Sequence, residues 1–408
     1  MYTECIQNLG KAVCFCGFMV LLAERSEYRM LYKEFQGKKL SALGMGAMRL
    51  PVVDREDSRI DEEAAARMVA YAMEHGVNYY DTAWGYHGGN SELVMGRALK
   101  NYPRESFYLA DKFPGYDLSN MGKVKEIFEE QLKKCGVEYF DFYLMHSQSK
   151  DTFEHFKKCR AYETALELKK EGKIHHFGIS FHDKAEVLEE ILKEYPQIEV
   201  VQIQFNYLDY EDPAVQSRKC YEVCRRYNKP VIVMEPVKGG NLVNLPEDAA
   251  KILDNLNGGS AASYAVRFAA SFDGVMMVLS GMSNIEQMED NLSYMKEFRA
   301  LDDTEMAAVK AVAEVFNSKH MIACTACRYC VEGCPKHISI PDLFACMNAK
   351  TVFHDWNADC YYNDVHTINN GKASDCIRCG KCEKVCPQHL PIRELLEKVA
   401  KEFEKKAD

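Results

Sequence analysis

The sequence lacks an excess of positive charge. Its 51 lysine and arginine residues are outnumbered by 61 aspartate and glutamate residues, and the formal net charge at pH 7 is −10. Proteins that bind the nucleic-acid backbone need clustered lysine and arginine, so we expect no nucleic-acid partner. Low-complexity stretches are also missing. Together with a hydrophobic content of 47%, this favours a folded globular protein.

A hydrophobic run long enough to cross a bilayer is also lacking. The apolar stretch Ala12–Ala23 is too short for a transmembrane helix, so we predict no membrane segment. This stretch has three interpretations: the apolar core of a signal peptide, a real cytoplasmic segment, or part of a spurious extension before a start at Met30. We therefore treat residues 1–30 as a separate N-terminal extension.

Cysteine is abundant, and the chain has 17 of them. Disulfide frameworks are typical of small secreted chains, which a chain of 408 residues is not. Some cysteines form two spaced runs, and the others are scattered: Cys5, Cys14, Cys16, Cys135, Cys159, Cys220, Cys224, Cys346 and Cys360. We expect the scattered ones to be reduced and mostly buried, and the protein to be cytoplasmic.

Short apolar stretches alternate with helical periodicity from Leu40 to Phe298. The predicted strands are Leu43–Met48, Asn78–Ala83, Phe107–Lys112, Phe140–His146, His175–Ser180, Val200–Phe205, Val231–Met234 and Val275–Ser280. The helices between and after them include Asp61–His75, Asn120–Lys134, Phe153–Glu171, Asp183–Glu194, Pro213–Tyr227, Ala261–Ala270 and Asn284–Phe298. Eight such units over roughly 260 residues predict an α/β fold, a (β/α)8 TIM barrel.

A doubly wound open sheet is the alternative fold. It usually has fewer strands and a glycine-rich turn after the first strand. Gly44-Met45-Gly46 lacks the third glycine at the required position, which favours the barrel. We divide the chain into a barrel at residues 31–300, a connecting helix at 301–319 and a small, mostly helical domain at 320–408.

Two cysteine runs share one spacing. They read Cys324-x2-Cys327-x2-Cys330-x3-Cys334-Pro335 and Cys376-x2-Cys379-x2-Cys382-x3-Cys386-Pro387. Zinc sites more often use two separated pairs of ligands, whereas this spacing is typical of two [4Fe–4S] clusters. In that arrangement the fourth cysteine of each run reaches the other cluster. The first cluster is therefore assigned Cys324, Cys327, Cys330 and Cys386, and the second Cys376, Cys379, Cys382 and Cys334. The region resembles two-cluster ferredoxin-type domains.

Four polar residues fall at the ends of successive predicted strands. Asp81 and Tyr86 follow the second strand, Lys112 ends the third and His146 ends the fourth. The C-terminal ends of barrel strands carry catalytic residues, so we expect these four to converge. Taken alone, these residues also have purely structural explanations: Asp81 as a helix cap, Lys112 as a solvated strand end and His146 as a core histidine.

The motifs DTAWGY, LADKF, DFYLMH, FGIS and SNIEQMEDNL together resemble the aldo-keto reductase family. The resemblance implies hydride transfer from NADH or NADPH to the carbonyl group of a small molecule. It implies that Tyr86 donates a proton to the carbonyl oxygen and that Lys112 lowers the pKa of Tyr86. It further implies that Asp81 holds Lys112 and that His146 orients the carbonyl.

The resemblance also assigns the nicotinamide end of a cofactor site. Ser180 and Gln202 correspond to the residues that bind the nicotinamide amide. Met234 takes the place of the tyrosine that usually lies beneath the nicotinamide ring, and a thioether can contact a ring face. No sequence signature indicates flavin, although Met234 leaves the tyrosine position vacant, so flavin is possible but unsupported.

The other end of the dinucleotide site is less regular. Asp290 and Asn291 correspond to the residues that contact adenine. Gly281 and Gln287 occupy the positions where NADP-binding members carry lysine and arginine. Because neither residue offers a cation to a 2′-phosphate, we expect a preference for NADH or weak discrimination.

Three functions are open at this point. The first is a carbonyl reductase whose clusters are structural or dock a partner, and the intact four-residue site favours it. The second is an electron-transfer protein in which the clusters link a redox protein partner to a cofactor in the barrel, and the cysteine runs favour it. The third is a binding or regulatory barrel that turns over no carbonyl. Hydride carries two electrons and a cluster accepts one, so with nicotinamide alone we expect the clusters to lie outside the chemical path.

Overall fold

A computed structural model describes residues 30–54, 56–213, 215–256, 258–319, 321–352 and 358–404. The interpretations of Ala12–Ala23, and of the extension as a whole up to residue 29, lie outside the described residues. Among the residues that are described, no helix is both long and apolar enough to cross a membrane.

Ten strands are present in the described chain. They are β1 (Tyr32–Phe35), β2 (Lys38–Ser41), β3 (Leu43–Gly46), β4 (Tyr79–Asp81), β5 (Tyr108–Phe113), β6 (Phe140–Gln148), β7 (Ile174–Phe181), β8 (Val200–Gln204), β9 (Val231–Met234) and β10 (Val275–Ser280). The last eight form a closed parallel barrel in chain order, with β10 pairing with β3. The predicted (β/α)8 barrel is confirmed.

The barrel interior is filled at one end by an N-terminal hairpin. Strands β1 and β2 pair antiparallel, and the buried side chains of Phe35 and Leu40 join the interior cluster that contains Tyr79 and Phe142. Asn78, which precedes β4, accepts a hydrogen bond from the backbone N–H of Ser41. The hairpin therefore covers the N-terminal ends of the strands and leaves their C-terminal ends for a site. This hairpin was not predicted from the sequence.

The helices of the barrel region lie outside the strands. They are α1 (Glu62–Glu74), α2 (Ser91–Leu99), α3 (Val124–Cys135), α4 (Lys150–Lys158), α5 (Ala161–Lys170), α6 (Ala185–Glu194), α7 (Ser217–Arg226), α8 (Glu247–Asp254), α9 (Ala261–Ala270), α10 (Ile285–Lys296) and α11 (Asp303–Ser318). Short 3₁₀ turns also occur, among them Ala47–Arg49, Tyr86–Gly89 and Lys238–Gly240.

Three helix predictions were wrong in their bounds. The predicted helix Phe153–Glu171 is two helices, because the backbone turns at Arg160, whose φ is 55°. The predicted helix Pro213–Tyr227 begins only at Ser217. The predicted helix Asn120–Lys134 begins only at Val124.

Helix α11 packs on the barrel. Its buried residues Val309, Val312 and Phe316 belong to the main core cluster. The carboxylate of Glu305 also forms a buried ion pair with Arg267 of α9, with an N–O distance of 2.8 Å. The segment predicted as a connecting helix is thus part of the outer layer of the barrel.

The C-terminal region is helical and has a separate small core. Its elements are α12 (Tyr329–Glu332), α13 (Ile340–Thr351), α14 (Ala358–Cys360), a π-helical turn (Tyr361–His366), α15 (Lys381–Lys384) and α16 (Ile392–Phe403). The core is built from Leu343 and Phe344 of α13, Tyr362, and Leu396 and Val399 of α16, all of them buried. Helix α16 is amphipathic, and its apolar face closes this core.

Candidate active site

The four predicted catalytic residues lie together at the C-terminal ends of adjacent strands. Asp81 is the last residue of β4, and Lys112 and His146 lie near the ends of β5 and β6. Tyr86 begins the 3₁₀ turn that follows β4. Because neighbouring parallel strands end at the same rim, sequence-distant residues converge here.

Lys112 is the centre of this group. Its Nζ atom is fully buried and lies 2.6 Å from Oδ1 of Asp81, 2.7 Å from the carbonyl oxygen of Thr82 and 3.3 Å from the hydroxyl of Tyr86. The second carboxylate oxygen of Asp81 accepts a hydrogen bond from Nε2 of Gln202 at 3.2 Å. The ammonium therefore has a fixed position beside the Tyr86 hydroxyl.

Burial and neighbouring charges shift the pKa values of this group in opposite directions. Burial alone would lower the pKa of Lys112, but Asp81 and Tyr86 raise it above its ordinary value. For Tyr86, burial raises the pKa and the ammonium of Lys112 lowers it, with a net rise. The expected effect of Lys112 on Tyr86 is present, but desolvation outweighs it. Tyr86 therefore keeps its proton at neutral pH.

His146 is a neutral imidazole in an aromatic environment. Burial lowers its pKa well below the ordinary value, and the nearby Lys112 ammonium lowers it further. The rings of Tyr86 and Tyr116 pack edge-on against it, with centroid distances of 6.0 and 5.3 Å. Its Nε2 atom lies 3.4 Å from the hydroxyl of Tyr329, which comes from the C-terminal domain.

A cavity of about 630 Å³ runs from the catalytic group across the rim of the barrel. Its size lies within the usual range of ligand pockets. Six of the seven predicted cofactor residues line it: Gln202, Met234, Gly281, Gln287, Asp290 and Asn291. The seventh, Ser180, is buried beside it, and its hydroxyl accepts a hydrogen bond from the backbone N–H of Ser147 at 2.8 Å. The residues present thus fit an elongated dinucleotide.

The cavity also contains a cation, Arg49, that was not predicted from the sequence. The side chain of Arg49 packs over Gly281, where an added Cβ would lie 2.8 Å from Cγ of Arg49. Its guanidinium group points toward the C-terminal domain and hydrogen-bonds backbone carbonyl groups there. Gln287 accepts a hydrogen bond from the backbone N–H of Ser283 at 2.8 Å. The position of Arg49 directly after β3, at the C-terminal rim, was the signal that could have identified it.

The eight spaced cysteines form the two predicted sets. One small cavity is lined by Cys324, Cys327, Cys330 and Cys386, and a second by Cys334, Cys376, Cys379 and Cys382. In the described part of the chain, no group of three or more histidine, cysteine or acidic side chains is arranged around a single metal ion. Cysteine side chains placed around a cavity, with apolar neighbours such as Ile340 and Leu396, fit an iron–sulfur cluster better than one zinc ion.

The first cysteine set lies against the barrel mouth. Cys327, Pro387 and Gln388 line the same cavity as Tyr86 and Met234. The appended domain therefore covers the site. The expectation that the clusters lie outside the chemical path when only nicotinamide binds stays a prediction. Sequence alone gave no signal for the docked placement, since docking depends on the tertiary surfaces of two domains.

Several hydrogen bonds hold the appended domain there. Asn241 donates to the carbonyl oxygen of Cys324 at 3.0 Å, and His389 donates to that of His182 at 3.0 Å. The buried Lys238, which also pairs with Asp209 of the barrel, donates to the side chain of Gln388 at 3.0 Å. A fully buried polar contact of this kind indicates an ordered interface.

Comparison with protein families gives two matches. The model of the aldo/keto reductase family matches residues 42–314, which contain the barrel and most of α11. The model of a 4Fe-4S dicluster domain matches residues 323–391, which contain both cysteine sets.

Individual relatives agree with the first match. An NADH-specific methylglyoxal reductase of Escherichia coli is 27% identical over 221 residues, which is 50% of this chain and 65% of the relative. The chain thus spans just under two thirds of that relative. A solved aldo-keto reductase from Bacillus halodurans, in its holo form, is 25% identical, with a TM-score of 0.54 over 70% of this chain and 96% of the other. A structure from Klebsiella pneumoniae in complex with NADPH shares the fold at 19% identity, a TM-score of 0.57 and coverage of 70% and 96%.

Proposed function

The chain belongs to the aldo/keto reductase family, and we propose that it is an oxidoreductase that reduces the carbonyl group of a small aldehyde or ketone. The observation that carries the proposal is the position of the Lys112 ammonium, 2.6 Å from Asp81 and 3.3 Å from the Tyr86 hydroxyl. This arrangement places a protonated phenol beside a fixed cation at one end of a dinucleotide-sized cavity.

A reduced nicotinamide dinucleotide, when bound, supplies the hydride. The protein residues act on the carbonyl oxygen, where negative charge develops. Tyr86 donates its proton to that oxygen. The ammonium of Lys112 then stabilises the tyrosinate that remains, and Asp81 keeps Lys112 in place. The neutral imidazole of His146 donates a hydrogen bond that orients the carbonyl.

We propose Gln202, Met234, Asp290 and Asn291 as dinucleotide contacts, with NADH preferred. Neither Gly281 nor Gln287 carries a charge, and the nearby Arg49 already binds two backbone carbonyl groups. A 2′-phosphate would therefore find no free cation among these residues. The name of the E. coli relative, an NADH-specific reductase, supports the same choice.

We further propose that each cysteine set holds one [4Fe–4S] cluster. The ligands would be Cys324, Cys327, Cys330 and Cys386 for the first, and Cys334, Cys376, Cys379 and Cys382 for the second. Soft thiolate ligands around a small cavity support this assignment. The large number of free cysteines also supports a reducing compartment such as the cytoplasm.

The test is the substitution Tyr86→Phe, which removes the proton donor and retains the ring. We expect carbonyl reduction to fall by about 10²–10⁴-fold, with dinucleotide affinity nearly unchanged. Tyr108→Phe is the matched control, because Tyr108 lies at the opposite end of β5 from Lys112 and has no place in the cavity. An active Tyr86→Phe protein would exclude the mechanism.

Electron transfer is the second candidate, in which the C-terminal domain serves a protein redox partner. The observation that favours it is that Cys327 lines the same cavity as Tyr86 and Met234. The test is anaerobic addition of NADH or NADPH alone, followed by paramagnetic resonance. Prompt appearance of a reduced-cluster signal without an added partner would favour electron transfer, and its absence would favour carbonyl reduction alone.

A further inference from the structure

Tyr329 is the residue of the C-terminal domain that reaches the catalytic group. It is the first residue of α12 and lies between Cys327 and Cys330, two members of the first cysteine set. Its hydroxyl lies 3.4 Å from Nε2 of His146. We propose that Tyr329 is a positioning residue: with no substrate bound, its hydroxyl accepts a hydrogen bond from Nε2 of the neutral His146 imidazole. This contact keeps the N–H group directed into the cavity, where the carbonyl oxygen then replaces the Tyr329 hydroxyl as acceptor. The proposal rests on the carbonyl reduction proposed above.

The His146 ring has little else to fix its orientation. Within the described part of the chain, Nδ1 has no hydrogen-bond partner, and Tyr329 is the only partner of Nε2. The rings of Tyr86 and Tyr116 meet His146 edge-on, and such packing limits the ring position without selecting a direction for the N–H bond. A hydrogen bond has that directionality, because it weakens steeply away from a linear geometry.

Tyr329 is itself held from both sides. The peptide groups just before it are bound to the barrel, since Arg49 donates to the carbonyl oxygens of Thr325 and Ala326 at 2.6 and 3.1 Å. Arg328 adopts a left-handed conformation, with a φ of 65°, and this turns the chain so that α12 starts at the barrel mouth. The Tyr116 ring packs beside Tyr329 at a centroid distance of 6.1 Å.

The position of Tyr329 also gives it access to a substrate. It lines the 630 Å³ cavity and a neighbouring cavity of about 250 Å³ between the two domains. Tyr86 lines both cavities as well. A carbonyl compound that approaches Tyr86 from the interdomain side therefore passes the ring of Tyr329. The site is complete only when the C-terminal domain is docked.

The experiment compares Tyr329→Phe with Tyr361→Phe in the full-length, cluster-containing protein. Tyr361 is an exposed tyrosine of the same domain and lines neither cavity. Carbonyl reduction is measured as kcat and KM, alongside iron content and dinucleotide affinity. For Tyr329→Phe we expect kcat to fall about fivefold, the value for one lost hydrogen bond, with smaller changes in KM. Iron content and dinucleotide affinity should stay unchanged, and Tyr361→Phe should match the parent protein.

A second measurement does not depend on turnover. Two-bond proton–nitrogen correlation spectra of nitrogen-15 histidine report the tautomer and hydrogen bonding of each ring, and His146→Asn identifies the His146 signals. We expect Tyr329→Phe, but not Tyr361→Phe, to shift the His146 signals. The proposal is overturned if Tyr329→Phe leaves the His146 signals unshifted or leaves kcat unchanged. It is also overturned if Tyr329→Phe loses iron in the same proportion as it loses activity. If neither the parent protein nor its variants reduce any carbonyl compound, the proposed function is wrong. A shift of the His146 signals in Tyr329→Phe would still support the contact between Tyr329 and His146.

Discussion

Arg49 of the barrel donates a hydrogen bond of 2.6 Å to the carbonyl oxygen of Thr325 in the C-terminal domain. The same backbone segment passes over Gly239, which adopts a φ of 63°. A Cβ added at Gly239 would lie 2.5 to 2.8 Å from three backbone atoms of Thr325. Backbone atoms cannot move aside as a flexible side chain can, so docking requires glycine here.

Gly239→Ala should therefore weaken the contact between the two domains. We expect faster hydrogen exchange in residues 321–332 and lower carbonyl reduction, because the loop that carries Tyr329 is displaced. Gly240→Ala is the matched control: its φ is also positive, at 98°, but its Cβ would approach only the side chain of Asn244, at 3.8 Å. The control variant should lose only the unfolding free energy that backbone strain costs, about 1 kcal/mol. Equal exchange in both variants would contradict the requirement for glycine.

Asp81→Asn should destabilise the barrel as well as impair catalysis. The Asp81–Lys112 pair is almost completely buried, with side-chain exposures of 4% and 0%. Removal of one partner leaves an uncompensated ammonium group, which costs about 3 kcal/mol of unfolding free energy. Glu62→Gln is the control, because its ion pair with Arg97 is half-exposed and contributes about 0.5 kcal/mol. Urea unfolding of both variants measures the difference, and similar values would contradict the role of burial.

The pH dependence of carbonyl reduction should be flat across neutrality. The reaction needs a protonated Tyr86 and a neutral His146. Rising pH removes the proton of Tyr86 only above its ordinary pKa of 10.0, because burial raises that pKa. Falling pH protonates His146 only below 6.5, because burial lowers its pKa. We therefore expect kcat/KM to stay level from about pH 6.5 to 10. A fall between pH 7 and 9 that follows neither dinucleotide binding nor iron content would contradict these directions.

Cofactor preference should respond to Gln287 but not to Gly281. We expect Gln287→Arg to strengthen NADPH binding about tenfold, because a guanidinium group matches a phosphate. Gly281→Lys should bring no such gain, since its Cβ would lie 2.8 Å from Cγ of Arg49. Equilibrium dissociation constants for NADH and NADPH measure both effects. A parent protein that prefers NADPH by more than tenfold would show that another cation binds the 2′-phosphate.

The barrel and its catalytic group were predictable because they follow from repeating patterns. Strand ends can be located from apolar stretches, and the parallel barrel topology then brings Asp81, Lys112 and His146 to one rim. The cavity residues Gln202 and Asp290 followed instead from the resemblance to the aldo-keto reductase family. The cysteine sets followed from spacing alone.

What escaped prediction depends on local turns or on contact between domains. The N-terminal hairpin turns at Gln36 and Gly37, both with positive φ, and this residue pair was a weak turn signal. The helix break at Arg160 involves neither proline nor glycine. Arg49 follows β3 at the C-terminal rim, which was a signal for a cavity residue but not for its contact with Thr325. That contact, like the one between Tyr329 and His146, forms only when the two domains meet, and no periodicity or spacing encodes it.

The two cysteine sets should differ in their effect on catalysis. Cys327 belongs to the set beside the barrel mouth, whereas Cys379 is exposed and belongs to the outer set. Loss of ligands should release iron and loosen the local chain, because metal binding and ordering are coupled in small domains. We expect Cys327→Ala to free the adjacent Tyr329 and to lower kcat at least as much as Tyr329→Phe does. Cys379→Ala should lose a similar share of iron and retain more activity.

Cys360→Ala is the control for these variants, because Cys360 is exposed and lies outside both sets. It should keep its iron and its activity. Iron content, kcat and limited proteolysis after Ser318 are measured together under anaerobic conditions. If both cluster variants lose activity equally, the second set also supports the docked position of the domain, and the distinction between the sets is wrong. If Cys327→Ala loses its iron and keeps full activity, the His146 site does not depend on the loop that carries Tyr329.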